Sequence, residues 1–342
     1  MMRPRLTNFT CAFGLALLIC APAARAGHAY VSNEDDQSVS VIDTDRAAIV
    51  GTVEVGKRPR GLKLSPDGAH LYVAVSGMPK CGPTVSDEEC AKRKRDFAAD
   101  GIADIDTATL KVSRMLQVGT DPEQFDVSAD GRRLFISNED AGTLSVFDLQ
   151  KSAILSKVPV GKEPEGARVG PDGKWVLVTS EVGNAVTILD TRSFQPLWSI
   201  AVGKRPRDAA FTPDGKVAFI TCELDSTIYR ATLEQHATAT KFLQLRPETR
   251  PMGVVLDTAR KRLYISTGRG GTVAVVKADD GKLVSEVPVG PRPWGIAMSA
   301  DGSRLYTANG PSNDVTIIDT SSLKVLTKVA VGKSPWGVVV SR

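Results

Sequence analysis

Charged and aromatic residues recur at one fixed position along the chain, directly after a proline that repeats. Six of the seven copies have Arg60, Glu123, Glu165, Arg207, Trp294 and Trp336 there, and the seventh has Met252. Carboxylates can act as general bases, guanidinium groups can stabilise an oxyanion, and indole rings can stack on a planar ligand. Packing of a structural repeat requires its proline, its glycine and its apolar strand positions, but not a different charged or aromatic side chain in each copy. The variation on a fixed frame therefore predicts a functional face.

Three interpretations of this face stay open from the residues alone. The first is binding of a ligand or partner by Arg60, Glu123, Glu165, Arg207, Trp294, Trp336, Asn33, Glu139, Glu223 and Arg292. The second is catalysis of the lactone hydrolase or lyase type, with Glu123, Glu165 or Glu181 as the base and Arg60 or Arg207 stabilising an oxyanion. The third is mutual neutralisation of arginine and glutamate around a channel. A glutamate with a raised pKa beside an arginine in a closed pocket would favour catalysis, whereas exposed indoles on a shallow face would favour binding.

An internal repeat predicts the elements that position these residues. The aligned prolines are Pro59, Pro122, Pro164, Pro206, Pro251, Pro293 and Pro335, most of them 42 residues apart. A typical period contains a strand after the proline, an Asp-Gly turn, a second strand, an alternating third strand and a fourth strand that ends in Val-Gly, and the copy around Pro251 is degenerate. Four antiparallel strands in about 40 residues are typical of a propeller blade. We therefore predict an all-β, seven-bladed β-propeller, with the loops before the first strand and after the second strand on one face.

The frame of the repeat also predicts how the ring closes. The first blade begins at its second strand, AYVSN at residues 29–33, and the chain ends just after a first strand, WGVVVSR at residues 336–342. We expect the C-terminal strand to become the inner strand beside the three N-terminal strands, which would remove the exposed edges of an open array.

The N-terminus has the pattern of a secretory signal peptide. Arg3 and Arg5 precede an apolar run, and small residues lead to a cleavage position near Ala26. We expect residues 1–26 to be a signal peptide and residues 27–342 to form one propeller domain in the periplasm or outside the cell. Removal of the signal lowers the formal net charge from +4 to +1, which gives no support to a nucleic-acid partner. No second apolar run approaches the length of a membrane span.

The remaining cysteines fit an exported protein. Cys81 and Cys90 lie in an inserted loop at residues 77–97, where we predict a disulfide because the exported chain meets an oxidising compartment. Cys222 is expected to be inert and half-buried at the end of a strand.

Several kinds of site are not indicated. His28, His70 and His236 fall in unrelated parts of the repeat, so no histidine metal centre is expected. No C-x-x-C-H motif for covalent haem occurs. Calcium bound by carboxylates stays open, although no EF-hand spacing is present. The basic run 92–95 adjoins acidic residues and lacks aromatic neighbours, which favours a solvated loop over a nucleic-acid site.

The strings YVSNEDDQSVSVIDT at residues 30–44 and LYTANGPSNDVTIIDT at residues 305–320 resemble the YVTN-type β-propeller repeat, a WD40-like repeat. The insert SGMPKCGPTVSDEEC is similar to that of exported propellers associated with pyrroloquinoline-quinone (PQQ)-dependent alcohol oxidation. The resemblance implies an exported propeller that is accessory to such a pathway. The variable residues after the prolines favour a periplasmic binding or scaffold protein, rather than an enzyme, that engages a protein partner or a small polar ligand. We expect this protein to be a monomer. No cofactor is expected, and binding of PQQ by this chain is not expected, because the Trp-bearing blade motif and vicinal cysteine pair of the quinoprotein dehydrogenases are absent.

Overall fold

The computed structural model describes residues 27–80, 88–89, 92–233 and 237–341 of the 342-residue chain. In this part of the chain, 28 strands form seven sheets of four antiparallel strands each. The predicted all-β, seven-bladed propeller is confirmed. Within the described residues, no helix has the length and apolarity to cross a bilayer.

The strands fall into four positions in the blades. The inner strands are β4 (Leu62–Leu64), β8 (Pro122–Val127), β12 (Pro164–Val169), β16 (Pro206–Phe211), β20 (Pro251–Asp257), β24 (Pro293–Met298) and β28 (Pro335–Val340). The second strands are β1 (His28–Asn33), β5 (His70–Val75), β9 (Arg133–Asn138), β13 (Trp175–Ser180), β17 (Val217–Cys222), β21 (Arg262–Thr267) and β25 (Arg304–Asn309). The third strands are β2 (Ser38–Asp43), β6 (Gly101–Asp106), β10 (Thr143–Asp148), β14 (Ala185–Asp190), β18 (Thr227–Thr232), β22 (Thr272–Lys277) and β26 (Asp314–Asp319). The outer strands are β3 (Ala48–Glu54), β7 (Lys111–Leu116), β11 (Ala153–Pro159), β15 (Pro196–Ala201), β19 (Thr238–Gln244), β23 (Leu283–Pro288) and β27 (Lys324–Ala330).

The first blade combines both ends of the described chain. Its strand order is β28-β1-β2-β3, and Ala29 pairs with Val340. The backbone N–H of Ser341 donates to the carbonyl of His28 at 2.8 Å. The other blades, numbered two to seven in chain order, each consist of four consecutive strands.

The core lies between the blades, because second and third strands carry apolar side chains on both faces. One cluster joins Tyr72 of the second blade to Phe125 and Phe147 of the third. Another joins Val31 of the first blade to Tyr306 of the seventh, across the closure of the ring. Each blade is thus stabilised by burial against its neighbours and not by a core of its own.

The loop before each inner strand has a left-handed residue. The residues that directly precede the seven prolines, which include Arg58, Asp121 and Arg292, have φ between 45° and 58°. Their carbonyls are used by the loop that follows the second strand: Glu139 donates its backbone N–H to Asp121 and Glu181 donates to Glu163, both at 3.0 Å. These bonds bring the two predicted loops to one face of the ring, which we call the mouth face.

A β-bulge follows the proline in six of the seven inner strands. In the fourth blade Pro164 pairs with Ser180, but the next pair is Ala167 with Val178, so β12 contains one extra residue. A bulge bends the strand and re-aims a side chain. The bulge therefore gives the residue after each proline, such as Glu165, an orientation that regular alternation would not give.

Hydroxyl groups stabilise these bulges and join adjacent blades. Thr179 accepts the backbone N–H of Gly166 at 2.8 Å and donates to the carbonyl of Arg207 in the next blade at 3.2 Å. Ser32, Thr221 and Ser266 form the same bridge in their blades. The blades approach so closely here that a Cβ on Gly166 would lie 2.5 Å from the Arg207 carbonyl oxygen. This contact explains the glycine at position 166.

The structure tests some of the predictions for the insert and the cysteines. Cys81 and Cys90 lie outside the described residues, so their disulfide stays a prediction. The described flanks of the insert are attached to the mouth face by ion pairs of Lys80 with Glu34 (2.8 Å) and of Lys57 with Asp96 (2.7 Å). Cys222 is wholly buried, not half-buried as expected, because it belongs to the apolar cluster between its own blade and the preceding one. Burial raises the pKa of its thiol to about 12, which agrees with an inert cysteine.

Candidate functional site

A cavity of about 350 Å³ lies on the axis of the ring, and residues of all seven inner strands line it. Its two walls differ in chemistry. Blade three supplies Gln124, and blades two, four and five supply charged side chains, Lys63, Glu165, Arg168, Arg207 and Asp208. Blades six, seven and one supply mainly apolar side chains, Met252, Val255, Trp294, Ala297, Trp336 and Val339. We call these the polar wall and the apolar wall.

Arg207 is the centre of a buried ionic cluster on the polar wall. Its Nη1 donates to Glu165 Oε2 at 2.7 Å and also contacts Glu181. Its Nη2 lies 2.6 Å from Glu223 Oε2, and its Nε donates to the same oxygen at 2.7 Å. We call Arg207, Glu165, Glu181 and Glu223 the Arg207 cluster. Arg205 adds a second cation, since its Nε donates to Glu181 at 2.5 Å.

Glu165 is the most perturbed acid of this cluster. Burial raises its pKa to about 8, and the neighbouring carboxylate of Glu181 acts in the same direction, although Arg207 opposes both effects. Two carboxylates that lie against the same guanidinium nitrogen cannot both ionise easily in a buried site. Glu165 therefore keeps its proton to a higher pH than an ordinary glutamate does.

Arg60 organises a second cluster, next to the first around the ring. Its Nη2 donates to Asp121 Oδ1 at 2.6 Å, and its Nη1 contacts Glu123 and lies 3.3 Å from Glu139 Oε2. The carboxylate oxygens of these three acids lie within 4.8 Å of one another, a spacing that could suit a metal ion. The guanidinium of Arg60 supplies the positive charge at this point. The mutual neutralisation of arginine and glutamate is therefore present in both clusters.

Two further ion pairs lie deeper along the channel and were not predicted from the sequence. Lys63 Nζ lies 3.3 Å from Asp126 Oδ1. Arg168 binds Asp208 through two hydrogen bonds of 2.7 and 2.9 Å. Lys63, Asp126 and Arg168 all stand four residues after an aligned proline, so the same alignment contained their signal. Burial and the charge of Arg168 lower the pKa of Lys63.

The two predicted indoles meet on the apolar wall. The ring centroids of Trp294 and Trp336 are 5.6 Å apart and their planes differ by 25°. Trp336 is 8% exposed and Trp294 is half-buried. The guanidinium of Arg292 lies 5.0 Å from the Trp294 ring and that of Arg207 lies 5.5 Å from it. Stacked indoles beside guanidinium groups form a surface for a planar group.

The remaining candidates have different surroundings. Asn33 is wholly buried and its amide donates to the hydroxyls of Ser38 and Ser40, so it stabilises the β1–β2 hairpin. Glu139 belongs to the Arg60 cluster, where burial raises its pKa. Arg292 is exposed at the edge of the apolar wall. The structure thus brings the predicted charged and aromatic residues together around one channel, while Asn33 has a structural environment.

Comparison with protein families gives two matches. A model described as "Lactonase, 7-bladed beta-propeller" matches residues 167–339, just over half of the chain. A model described as "YNCE-like beta-propeller" matches residues 96–216. A curated relative, Antigen Lp49 of Leptospira interrogans, is 31% identical over 109 residues, which cover 32% of this chain. The match spans only 22% of the length of that relative.

Solved structures share the fold over nearly the whole chain. A functionally unknown protein from Desulfotomaculum acetoxidans has a TM-score of 0.75 at 16% identity, covering 92% of this chain and 99% of its own. Hydrazine synthase of Kuenenia stuttgartiensis has a TM-score of 0.72 at 22% identity, covering 85% and 92%. A putative 6-phosphogluconolactonase from Bacteroides fragilis has a TM-score of 0.72 at 17% identity, covering 94% and 99%. At these identities the likeness is one of fold.

Proposed function

We propose, from the premise that this chain belongs to the family of seven-bladed β-propeller lactonases, that its central cavity binds a small organic molecule with one polar and one apolar side. The observation that carries this proposal is the division of the cavity into a polar wall and an apolar wall. The volume of about 350 Å³ lies within the range of small-molecule sites in proteins.

The walls make different contributions to binding. Covering about 100 Å² of an apolar ring against Trp294 and Trp336 would contribute about 2.5 kcal/mol. The charged groups of the polar wall are already paired with one another, so they orient polar groups of the ligand at little further desolvation cost. Mutual neutralisation on one wall is therefore compatible with binding in the cavity.

Filling the cavity is expected to abolish binding. Val255 lines the apolar wall, and in a Val255→Phe variant the added ring would occupy the space of a ligand. We expect the affinity for N-phenyl-1-naphthylamine, a neutral probe that fluoresces in apolar surroundings, to fall at least tenfold. Val284→Phe is the matched control, because Val284 is 42% exposed on the outer strand β23. Equal probe affinity in both variants would show that the cavity is not the site.

Lactone hydrolysis is a second candidate, favoured by the surroundings of Glu165. Its pKa of about 8, its contact with Arg207 and its place in the wall of the central cavity are features expected of a catalytic base. In this mechanism the Glu165 carboxylate takes a proton from water as the water oxygen bonds to the lactone carbonyl carbon. Arg207 stabilises the resulting oxyanion. The ring C–O bond then breaks, and protonated Glu165 returns the proton to the leaving oxygen, which yields a hydroxy acid.

This mechanism predicts both a pH profile and a variant effect. Since the base is the carboxylate form, hydrolysis of glucono-1,5-lactone above the background rate should rise with pH through about 8. Glu165→Gln keeps the side-chain shape and should lower the enzymatic rate at least about 100-fold in a pH-stat assay. Glu286→Gln, which changes a glutamate on outer strand β23, is the control and should leave the rate unchanged. A Glu165→Gln protein with the wild-type rate would exclude Glu165 as the base.

The location and pathway are proposed from the sequence. The N-terminal signal pattern supports export, and the resemblance of the insert to exported propellers supports a place beside a PQQ-dependent oxidation pathway. In that setting the proposed ligand, or a periplasmic protein partner, would meet the mouth face.

A further inference from the structure

The arginines directly before the blade prolines differ in their partners. Three of them bind carboxylates: Arg58 binds Glu34 at 3.0 Å, Arg205 binds Glu181 at 2.5 Å and Arg250 binds Glu223 at 3.2 Å. Within the described residues, the fourth, Arg292, forms no ion pair. Its guanidinium therefore keeps N–H donors that the equivalent arginines use within the protein.

The acidic residues around Arg292 do not neutralise its positive charge. Glu223 is the acid that acts on it most strongly, but this carboxylate already accepts hydrogen bonds from Arg207 and Arg250. Partial desolvation of its guanidinium by the neighbouring residues lowers the pKa of Arg292, and the positive charges of Arg207 and Arg269 lower it further, while Glu223 opposes them. The edge of the apolar wall thus presents an unpaired cation close to other cations.

Arg292 is also positioned beside the apolar wall. Its guanidinium lies 5.0 Å from the ring of Trp294, and the same ring stacks on Trp336 and lines the cavity. A molecule that lies on the two indoles could therefore place a group at its end against this guanidinium. An arginine at such a place binds an oxyanion through two parallel N–H donors, which makes it more selective than a point charge.

We propose that Arg292 binds the anionic group of the ligand, so that the cavity selects an organic anion, a carboxylate or phosphate ester, with a flat or apolar body. This inference rests on the proposed binding function and adds the chemical class of the ligand. The body of the ligand lies against Trp294 and Trp336, and its oxyanion accepts from the free N–H groups of Arg292.

The test compares three probes that share one ring system: 2-naphthoate, 2-naphthyl phosphate and the neutral 2-naphthalenemethanol. Isothermal titration calorimetry of the wild-type protein should give at least tenfold tighter binding of one or both anions than of the alcohol, as expected for a charge-assisted pair. Arg292→Gln should reduce the affinity for the anion to that for the alcohol, and should leave the affinity for the alcohol unchanged.

Arg269→Gln is the matched control. Arg269 is a neighbouring arginine that pairs with exposed Glu248 at 3.2 Å, so its loss changes the net charge equally without removing the proposed contact. An equal loss of anion affinity in both variants would overturn the proposed contact between Arg292 and the anion, because the anion would then respond only to the net positive charge of this region. Equal binding of anion and alcohol by the wild type would overturn the anion inference and leave the binding function standing. Absence of binding by all three probes would overturn both.

Discussion

Replacing Arg207 by alanine should destabilise the propeller by about 3–5 kcal/mol, the cost of leaving buried charges without their partner. The side chain of Arg207 is 7% exposed and binds Glu165, Glu181 and Glu223, each of which is even more buried. Removing the guanidinium leaves three carboxyl groups close together. Arg205 and Arg250 contact part of this cluster from its edge and cannot replace a cation at its centre.

Urea denaturation followed by circular dichroism measures this effect. The control is Arg246→Ala, which removes an ion pair with Glu286 whose arginine is 67% exposed, so its loss of stability should be much smaller. In the Arg207→Ala protein the carboxyl pKa values should lie above their unfolded values, so the neutral forms are favoured on folding and stability is lost as the pH rises. The variant should therefore be least stable at alkaline pH. A loss no greater than that of Arg246→Ala would contradict the role of Arg207.

Removing the C-terminal inner strand should abolish cooperative folding. Deletion of residues 334–342 removes β28, which pairs with β1 and packs Val338 into a cluster with Val31 and Ala308. The loss of buried Trp336 and Val338 would cost about 2 kcal/mol for each side chain. The unpaired edge of β1 and the open ring add to this cost, and the total approaches the stability of a typical domain.

Gel filtration and thermal denaturation would measure this loss. The informative control is a circular permutant in which residues 333–341 are moved in front of residue 27 through a short linker. Ser341 bonds to His28, so the new connection joins atoms that are already adjacent. The permutant should be monodisperse and unfold cooperatively. A truncated chain that unfolds as cooperatively as the permutant would show that ring closure contributes little.

The prediction of the fold succeeded because its signals are local and are repeated. Each period carries its own proline, turn and alternating strands, so an error in one copy is corrected by the six others. The degenerate copy around Pro251 still forms an inner strand, β20, in its expected place. The residues of the mouth face were predictable for the same reason, since the residue after an aligned proline has the same position in every blade.

The pairing of charges could not be predicted in this way. Glu139 contacts Arg60 from 79 positions away in the sequence, and Glu165 contacts Arg207 from 42 positions away. Whether such residues meet depends on the spacing between blades and on the bulges that orient their side chains. The sequence nevertheless contains two patterns that point to such contacts. Charged residues recur four positions after the prolines, and hydroxyl residues such as Thr179 and Ser266 recur in the second strands.

The sequence by itself determined the architecture of this protein. It specified seven blades, the pairing of the C-terminal strand with the N-terminal strands, and one face that carries arginines, glutamates and two tryptophans. These properties follow from short-range patterns and their period. Only the tertiary structure decided the electrostatics of that face. Burial and the presence of Glu181 raise the pKa of Glu165, and the lack of an ion-pair partner among the described residues distinguishes Arg292. Both properties depend on distances between blades, and these distances are set only when the ring is assembled.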